Sequence, residues 1–340
     1  MSATELPFAH GATPPLTGRL RSTDEDFLVE EILGYDADGS GEHALLWVEK
    51  RGANTDWVAR ELAKFAGVPP LAVGYAGLKD RHAVTRQAFS VQLAGKPDLD
   101  WSVFPHAEVK VLAATRHGRK LKRGALRGNR FVLVLREARG GRERTEQVLA
   151  AIAARGVPNY FGEQRFGREG GNLEQARAMF AGRRVDRDKR GFLLSAARSQ
   201  IFNSVLAARV ERGTWDAPLD GEIWSLAGSR SWFGPEPYTE VLAQRLASGD
   251  IHPSGPLWGQ GEPPSTGEAG ALEREVAAAH ADLAEGIAAA RMDQERRPLR
   301  LMPKDLRWRW LADDALELSF ELPAGAYATV VARELARSQE

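Results

Sequence analysis

The sequence predicts an α+β protein, with one mixed domain assembled from both ends of the chain and a mainly helical domain inserted between them. Three observations carry this reading. Short segments of strand character, bounded by Gly, Pro, Asn and Asp, crowd the stretch before Gly156 and return after Pro303. Between those points the apolar residues fall at helical spacing. The length of 340 residues exceeds what one typical domain uses, so two domains are expected. Strands at both ends and helices between them place the ends in one layered domain and the middle in another.

Taken in order, Val29 to Ile32 reads as a short strand and His43 to Glu49 as a second, with the turn-rich DADGSGE between them. Asn54-Thr55-Asp56 offers a helix cap, and Val58, Leu62 and Phe65 follow at helical spacing until Gly67 and Pro69-Pro70 end the element. Gly74 to Val91, GYAGLKDRHAVTRQAFSV, is a glycine-punctuated loop that runs into a strand over Ala88 to Leu93. Phe131 to Leu135 is a strand placed directly after a basic run. In the middle, helices are expected over Leu173–Phe180, Ser195–Arg212 and Leu272–Arg291, with Ser254–Gly270 as a loop. In Ala315–Leu322 the leucines and Phe320 alternate with Glu317, Ser319 and Glu321, the pattern of a half-buried strand. PAGAY turns the chain and Ala328–Ala336 closes it as a helix.

Composition narrows the chemistry. No apolar run approaches the ~20 residues of a membrane helix, and Met1 to Arg19 lacks the basic start and apolar stretch of a signal peptide, so a cytoplasmic protein with no membrane partner is expected. Cysteine is absent, which excludes disulfides, thiolate zinc sites, iron–sulfur clusters and a cysteine nucleophile. Zinc base deaminases and enzymes that attack a pyrimidine through a thiolate are excluded with them. Covalent chemistry must then use a carboxylate, a hydroxyl or an amine. The seven histidines show no ligand spacing, so no metal site is expected. Basic and acidic residues balance at 46 each, but Arg116 to Arg130 carries seven cations and no acid, while Glu262, Glu268, Glu273 and Glu275 gather elsewhere.

Three segments carry candidate chemistry. In GLKDR, Asp80 stands between Lys79 and Arg81, cations that favour its charged form. Gly74 and Gly77 leave room for a ligand to approach the backbone. The other reading is a charged surface turn. The run RHGRKLKRGALRGNR suits phosphate contacts, which are salt-sensitive and independent of base sequence; a solvated face is the alternative. Asn159 to Arg168, NYFGEQRFGR, alternates aromatic and cationic residues that can stack on bases and hold a backbone, or else form a packed turn with core Phe residues. Its glycines match neither the dinucleotide fingerprint nor the P-loop.

These pieces, in this order, resemble the TruD family of tRNA pseudouridine synthases. The resemblance lies in GLKDRHAVTRQ (Gly77–Gln87), GALRGNRF (Gly124–Phe131), VPNYFGEQRFG (Val157–Gly167), DKRGFLLSAARSQIFN (Asp188–Asn203), LAGSRSWF (Leu226–Phe233) and LPAGAYATVVAREL (Leu322–Leu335). It implies a mixed, largely antiparallel sheet core of pseudouridine-synthase type with a mainly helical inserted TRUD domain. The implied boundaries are 1–154 and 304–340 for the catalytic domain and 155–303 for the insert. It implies isomerisation of a uridine in tRNA, expected to be uridine 13, with Asp80 as the catalytic residue. Phe27, Asn129 and Tyr327 become substrate-binding residues; phenylalanine is expected to be commoner at the last position, so the stacking role transfers and a role for the hydroxyl does not follow from the resemblance.

The chemistry accommodates those residues. Breaking a C–N glycosidic bond and rejoining the uracil through C5 needs no redox step, so no cofactor is expected. It needs a carboxylate that attacks C1′ or the base, or that removes a sugar proton, and Asp80 suits each role. The detached uracil needs a slot with aromatic faces, for which Phe27, Phe131 and Tyr327 are candidates, Phe131 serving equally well as a core residue. Asn129 can read a uracil edge or a ribose hydroxyl. Lys79 is the nearest group to balance the charge of Asp80. Arg116, Arg119, Lys120, Lys122, Arg123, Arg165 and Arg168 are the expected tRNA phosphate contacts. A monomer acting on tRNA is expected. A metal-dependent nuclease would instead need magnesium and further acids beside Asp80, and an RNA-binding protein without chemistry would not need Asp80 at all.

Overall fold

The computed structural model describes residues 6–167 and 170–338. The chain begins with β1 (Leu16–Leu20), β2 (Phe27–Ile32), β3 (His43–Lys50), α1 (Thr55–Phe65), β4 (Val73–Tyr75), β5 (Val84–Gln92), β6 (Val109–His117) and the long β7 (Gly128–Gly140). There follow α2 (Arg142–Arg155), β8 (Val157–Pro158), α3 (Gly171–Phe180), α4 (Arg187–Glu211), β9 (Trp224–Leu226), β10 (Trp232–Phe233) and α5 (Glu240–Ala247). Next come β11 (Ile251–Leu257), α6 (Gly267–Ala279), α7 (Ala281–Ala289), β12 (Glu295–Pro298) and β13 (Arg300–Leu301). The chain closes with β14 (Lys304–Ala312), β15 (Ala315–Pro323), α8 (Ala328–Leu335) and β16 (Ala336–Ser338).

These elements group into two compact units. The sheet unit takes Leu16–Gly141, Pro303–Ala326 and the tail from Ala336. The helical unit takes Arg142–Met302, Tyr327–Leu335 and the described part of Met1–Pro15. Two pieces remote in sequence thus join the helical unit, and specific bonds account for it. The Glu334 carboxylate accepts the N–H groups of Ala9 and His10 at 2.9 and 3.2 Å, and Arg333 donates to the carbonyls of Leu6 and Pro7.

In the sheet unit a 10-stranded sheet runs β14-β15-β7-β2-β5-β3-β6, with β1 and β4 at its side and β16 beside β1. Pairing is antiparallel except β2 with β5 and β1 with β16. Register decides which side chains share a face. Phe27, Val29 and Glu31 of β2 lie opposite Leu133, Phe131 and Asn129 of β7, which lie opposite Leu318, Phe320 and Leu322 of β15. The other face carries a charge ladder in which Arg86 meets Glu49 and Glu30 at 2.9 and 3.4 Å and Arg130 meets Glu321 at 2.7 Å. Period-two alternation thus separates an apolar face bearing a few polar groups from a solvated one. Helix α1 buries Val58, Ala59, Leu62 and Ala63 in a core with Leu46, Val48, Phe89 and Val91.

In the helical unit the 25-residue α4 is the central element, packed on α3 and α7 through Leu193, Ala197, Ile201, Ala176, Leu283 and Ile287. The structure differs from expectation in two places. Ser254–Gly270 was to be a loop, yet Ile251–Leu257 is a strand inside the four-stranded sheet β10-β9-β11-β12. Pro253, Gly255 and Pro256 disguise it, since proline cannot donate to a ladder and glycine weakens a strand. Gly255 is required there, because a Cβ would sit 2.8 Å from Leu299 and 3.0 Å from Phe202. The expected helix over Leu272–Arg291 is two helices, α6 and α7, broken at His280, whose ring bonds to the Ser204 hydroxyl at 2.9 Å.

Beneath the small sheet Arg296 forms a bidentate pair with Glu273 at 2.8 and 2.7 Å, both side chains buried, and Ser265 donates to the same carboxylate at 2.5 Å. Removing one member of a buried pair strands the other charge. Arg296→Met should therefore destabilise the helical unit by roughly 3–5 kcal/mol, read as a lowered denaturant midpoint in tryptophan fluorescence.

Candidate active site

Asp80 sits on the loop joining β4 to β5, and side chains from three other elements hold that loop. Lys50, at the end of β3, is fully buried and donates to the carbonyls of Ala53 at 2.7 Å, Asp80 at 3.1 Å and Lys79 at 3.5 Å. The Thr55 hydroxyl, in the first turn of α1, accepts the Lys79 N–H at 3.0 Å and donates to Gln87 at 3.0 Å; Gln87 in turn donates to the Gly77 carbonyl at 3.2 Å. The Lys79 ammonium lies 2.6 Å from Glu31 of β2, both side chains buried, and the second Glu31 oxygen accepts the Ala88 N–H at 3.1 Å. The two glycines ahead of Asp80 make room for protein. A Cβ on Gly74 would run into the Leu121 carbonyl, and one on Gly77 would meet the Lys79–Glu31 pair at 3.3 and 3.5 Å.

The Asp80 carboxylate accepts the His82 N–H at 3.0 Å and pairs with Arg21 at 3.1 Å, both side chains of the pair being about a third exposed at 30% and 31%. Lys79 was the expected charge partner; Arg21 takes that place, because the Lys79 ammonium is committed to Glu31. Arg21 follows β1 with φ at 60°, a left-handed conformation that costs a non-glycine residue about 1–2 kcal/mol. Its guanidinium lies 4.0 Å over the Phe27 ring, so one side chain touches both Asp80 and the aromatic residue expected to stack on a base. Nothing local marks Arg21 in the sequence, since its partner is 59 residues away.

Phe27 is itself fixed at both ends. The buried Asp26 carboxylate accepts from Arg136 of β7 at 2.9 Å and from the Thr23 N–H at 3.1 Å. The Phe27 ring meets Phe131 edge-on at 6.3 Å, and Phe131 packs on Phe320 at 5.7 Å. Asn129 shares that sheet face, and its Oδ1 is buried without a partner among the described residues. An open depression of about 470 Å³ lies at the Asp80 loop, lined in part by Asn54, Trp57, Arg60, Asp80 and Arg81. Among the described residues no three His, Cys, Asp or Glu side chains cluster as metal ligands would, and no helix is long and apolar enough to cross a membrane.

The basic run occupies the end of β6 and the connection to β7, and acids from elsewhere meet four of its cations. Arg116 pairs with Asp98 at 2.6 Å, Arg123 with Asp56 at 3.6 Å, Arg127 with Glu321 at 4.0 Å and Arg130 with Glu321 at 2.7 Å. Arg119, Lys120 and Lys122 have no ion-pair partner among the described residues, although Lys120 donates to the Leu71 carbonyl.

The sequence matches the profile of the family described as tRNA pseudouridine synthase D (TruD) over residues 8–176 and 169–335. A tRNA pseudouridine synthase D of Xanthomonas campestris pv. campestris is 54% identical over 345 residues, covering 97% of this chain and 94% of the relative. The chain belongs to the tRNA pseudouridine synthase D (TruD) family. A relative of that name in Methylococcus capsulatus is 51% identical over 333 residues, with 97% and 94% covered. A crystal structure described as a putative TruD from Methanosarcina mazei shares the fold, with a TM-score of 0.71 at 23% identity over 96% of this chain and 95% of that one.

For this TruD-family chain, the remaining expected residues lie in the helical unit or outside the described residues. Arg168 is outside them. Arg165 donates to the Ser195 hydroxyl at 3.0 Å and to the Tyr327 hydroxyl at 2.9 Å. Arg297 of β12, which sequence reasoning missed, lies 4.2 Å over the Phe161 ring; Arg165 lies 5.3 Å from the same ring. Burial pulls the Arg297 guanidinium down to about 10, with the Tyr327 oxygen opposing that shift and the Arg165 charge adding to it.

Lys50 supplies a pH test of how the Asp80 loop is held. Burial pulls its ammonium from 10.5 down to about 8, against the opposing pull of the Asp80 charge. Below about pH 8 both folded and unfolded chains carry the proton; between about 8 and 10.5 the folded state gives it up while the unfolded chain keeps it. Stability through this group therefore rises with pH across that window and is flat below it. Denaturant titrations should show the wild type gaining on Lys50→Met between about pH 7 and about pH 10. Parallel trends in the two proteins would show that Lys50 titrates as in the unfolded chain.

Proposed function

We propose that this TruD-family protein is a tRNA pseudouridine synthase that converts a uridine of tRNA, expected to be uridine 13, to pseudouridine, with Asp80 as the catalytic residue. One observation carries the reading: a carboxylate at an open depression, on a loop held at every turn, paired with an arginine that also covers an aromatic face. In the reaction the N1–C1′ bond breaks, the same uracil turns, C5 bonds to C1′, the C5 proton leaves to solvent and N1 takes up a proton. Asp80 serves as nucleophile toward C1′ or C6, or as the base that removes a sugar proton. Arg21 orients the carboxylate. Phe27 offers a stacking face, and the Asn129 oxygen, unpartnered among the described residues, accepts from a uracil N–H or a ribose hydroxyl. Phe131 backs Phe27. Lys79 positions the loop through Glu31 rather than touching the base.

The same reading extends to the rest of the chain. Residues 1–154 and 304–340 are assigned to the catalytic domain and 155–303 to the TRUD insert. Tyr327 is assigned to the substrate, and the cations Arg116, Arg119, Lys120, Lys122, Arg123, Arg165 and Arg168 to tRNA phosphates. Extruding a base costs a few kcal/mol, which phosphate contacts can offset. The protein is assigned as a cytoplasmic monomer that works without a cofactor.

The reaction has a direct readout. tRNA labelled with tritium at uridine C5 should release label to water with the wild type, in excess EDTA. Asp80→Asn should bind the tRNA and release none, and Arg21→Met should turn over about 10²-fold more slowly. Carbodiimide mapping of the product should place the new base at position 13. A folded wild type that binds tRNA and releases no label would overturn the assignment.

A further inference from the structure

We propose that Arg165, Arg297, Ser195 and the hydroxyl of Tyr327 form an anion site in the helical unit that holds one phosphodiester group of the RNA substrate. The proposal rests on the RNA-modifying reading for the source of the phosphate, and on local chemistry for the site.

Four features of the cluster point to an anion. First, two guanidiniums share one aromatic ring, at 5.3 and 4.2 Å from the Phe161 centroid, and neither has a carboxylate partner among the described residues. Three buried arginines of this unit each have one: Arg209 meets Glu222 at 2.9 Å, Arg296 meets Glu273 at 2.7 Å and Arg198 meets Glu295 at 3.2 Å. Like charges brought together out of water repel each other and lose solvation, a cost that a bound anion removes. Second, the Arg165 Nε is buried with no hydrogen-bond partner among the described residues, a guanidinium donor left over where such groups are normally satisfied.

Third, the hydroxyls are set to donate. Ser195 and Tyr327 each accept from Arg165, at 3.0 and 2.9 Å, which uses a lone pair on each oxygen and leaves each O–H for another acceptor. Neither O–H donates to a protein group among the described residues. Fourth, the arginines are held in place rather than free. Arg297 donates to the Asn159 side-chain oxygen at 2.6 Å and to the Asn159 carbonyl at 3.3 Å, and Asn159 is fixed in turn through its amide to the Pro298 carbonyl at 2.8 Å. Forked guanidinium donors with two hydroxyls match the several oxygens of a phosphate better than they match a single carboxylate. Both arginines keep part of their surface exposed, so an anion can reach them. The Tyr327 hydroxyl thereby gains a function in this chain that stacking alone does not require.

The test measures unmodified tRNA binding by filter retention across a potassium chloride series, for wild type, Arg165→Met, Arg297→Met and Tyr327→Phe. Losing one phosphate contact should lower the slope of log K against log salt by about one and weaken binding about tenfold at moderate salt in each arginine variant. Tyr327→Phe keeps the ring and the charges, so its affinity should fall roughly three- to tenfold with the slope unchanged. Wild-type slope and affinity in Arg165→Met or Arg297→Met, with circular dichroism confirming the fold, would overturn the site. Should both arginine variants fail to fold, unchanged affinity in Tyr327→Phe overturns it. Inorganic phosphate that raises the melting temperature of wild type but not of Arg165→Met, together with identical tRNA slopes, would assign the site to free phosphate and overturn the RNA assignment. The reaction is judged separately by wild-type tritium release: altered slopes without release support the site and sink the reaction, and release with unaltered slopes does the reverse.

Discussion

A buried ammonium–carboxylate contact, Lys79 to Glu31 at 2.6 Å, fastens the Asp80 loop to the centre of the large sheet. The loop has no ladder of its own, so its order must come from side chains. Fixing a residue's backbone costs about 1–2 kcal/mol, and the loop has several residues to fix. Removing one member of a buried pair costs roughly 3–5 kcal/mol, so the pair alone cannot hold the whole loop. The remainder comes from Lys50, which gathers the carbonyls of Ala53, Lys79 and Asp80, and from the chain Lys79 N–H to Thr55 to Gln87 to Gly77. Taken together these bonds set the backbone under Asp80 without using its carboxylate.

That separation of roles is what suits the carboxylate for chemistry. Both lysines that approach Asp80 are engaged elsewhere, one with a carboxylate and one with carbonyls. The partner that Asp80 does have, Arg21, is about a third exposed, as is Asp80. An ion pair of that exposure is worth about 1 kcal/mol or less, so contacts to a substrate can replace it at small cost. The strong pair holds the scaffold and the weak pair sits where the proposed reaction calls for exchange. Arg21's left-handed backbone, maintained at about 1–2 kcal/mol, places its guanidinium over Phe27 instead of in solvent.

Much of the fold was legible in local pattern. β2, β3, β5, β15, α1 and α8 announce themselves by period or by cap and stop residues, since each buries one face against a neighbour. β11 was not legible because packing against Phe202 and Leu299 selects a glycine, and a Pro-Gly-rich stretch reads as a loop. The α6–α7 break at His280 was hidden for a related reason: the alanine-rich sequence continues helically, and the interruption depends on a tertiary bond to Ser204. At the candidate site, the motif marked Asp80, Phe27 and Asn129, whereas Arg21, Lys50 and Arg297 come from distant segments and carry no local signature. Lys79 shows the limit most clearly. Adjacency in sequence suggested that it balances Asp80, and adjacency in space gives it to Glu31.

The balanced charge of the chain, 46 of each sign, conceals a further sorting. Acids from a loop, from α1 and from β15 meet Arg116, Arg123, Arg127 and Arg130, so the basic run is less bare in the fold than in the sequence. Within the run Arg119, Lys120 and Lys122 have no ion-pair partner among the described residues, and in the other unit Arg165 and Arg297 have none either. The first three are exposed surface cations suited to salt-sensitive attraction, while the last two are forked, packed on an aromatic ring and flanked by hydroxyls. Counterion release supplies attraction without orientation, whereas fixed forks supply orientation. The proposed reaction, which presents one base to one carboxylate, needs both, and the placement of the acids determines which cations are left to provide each.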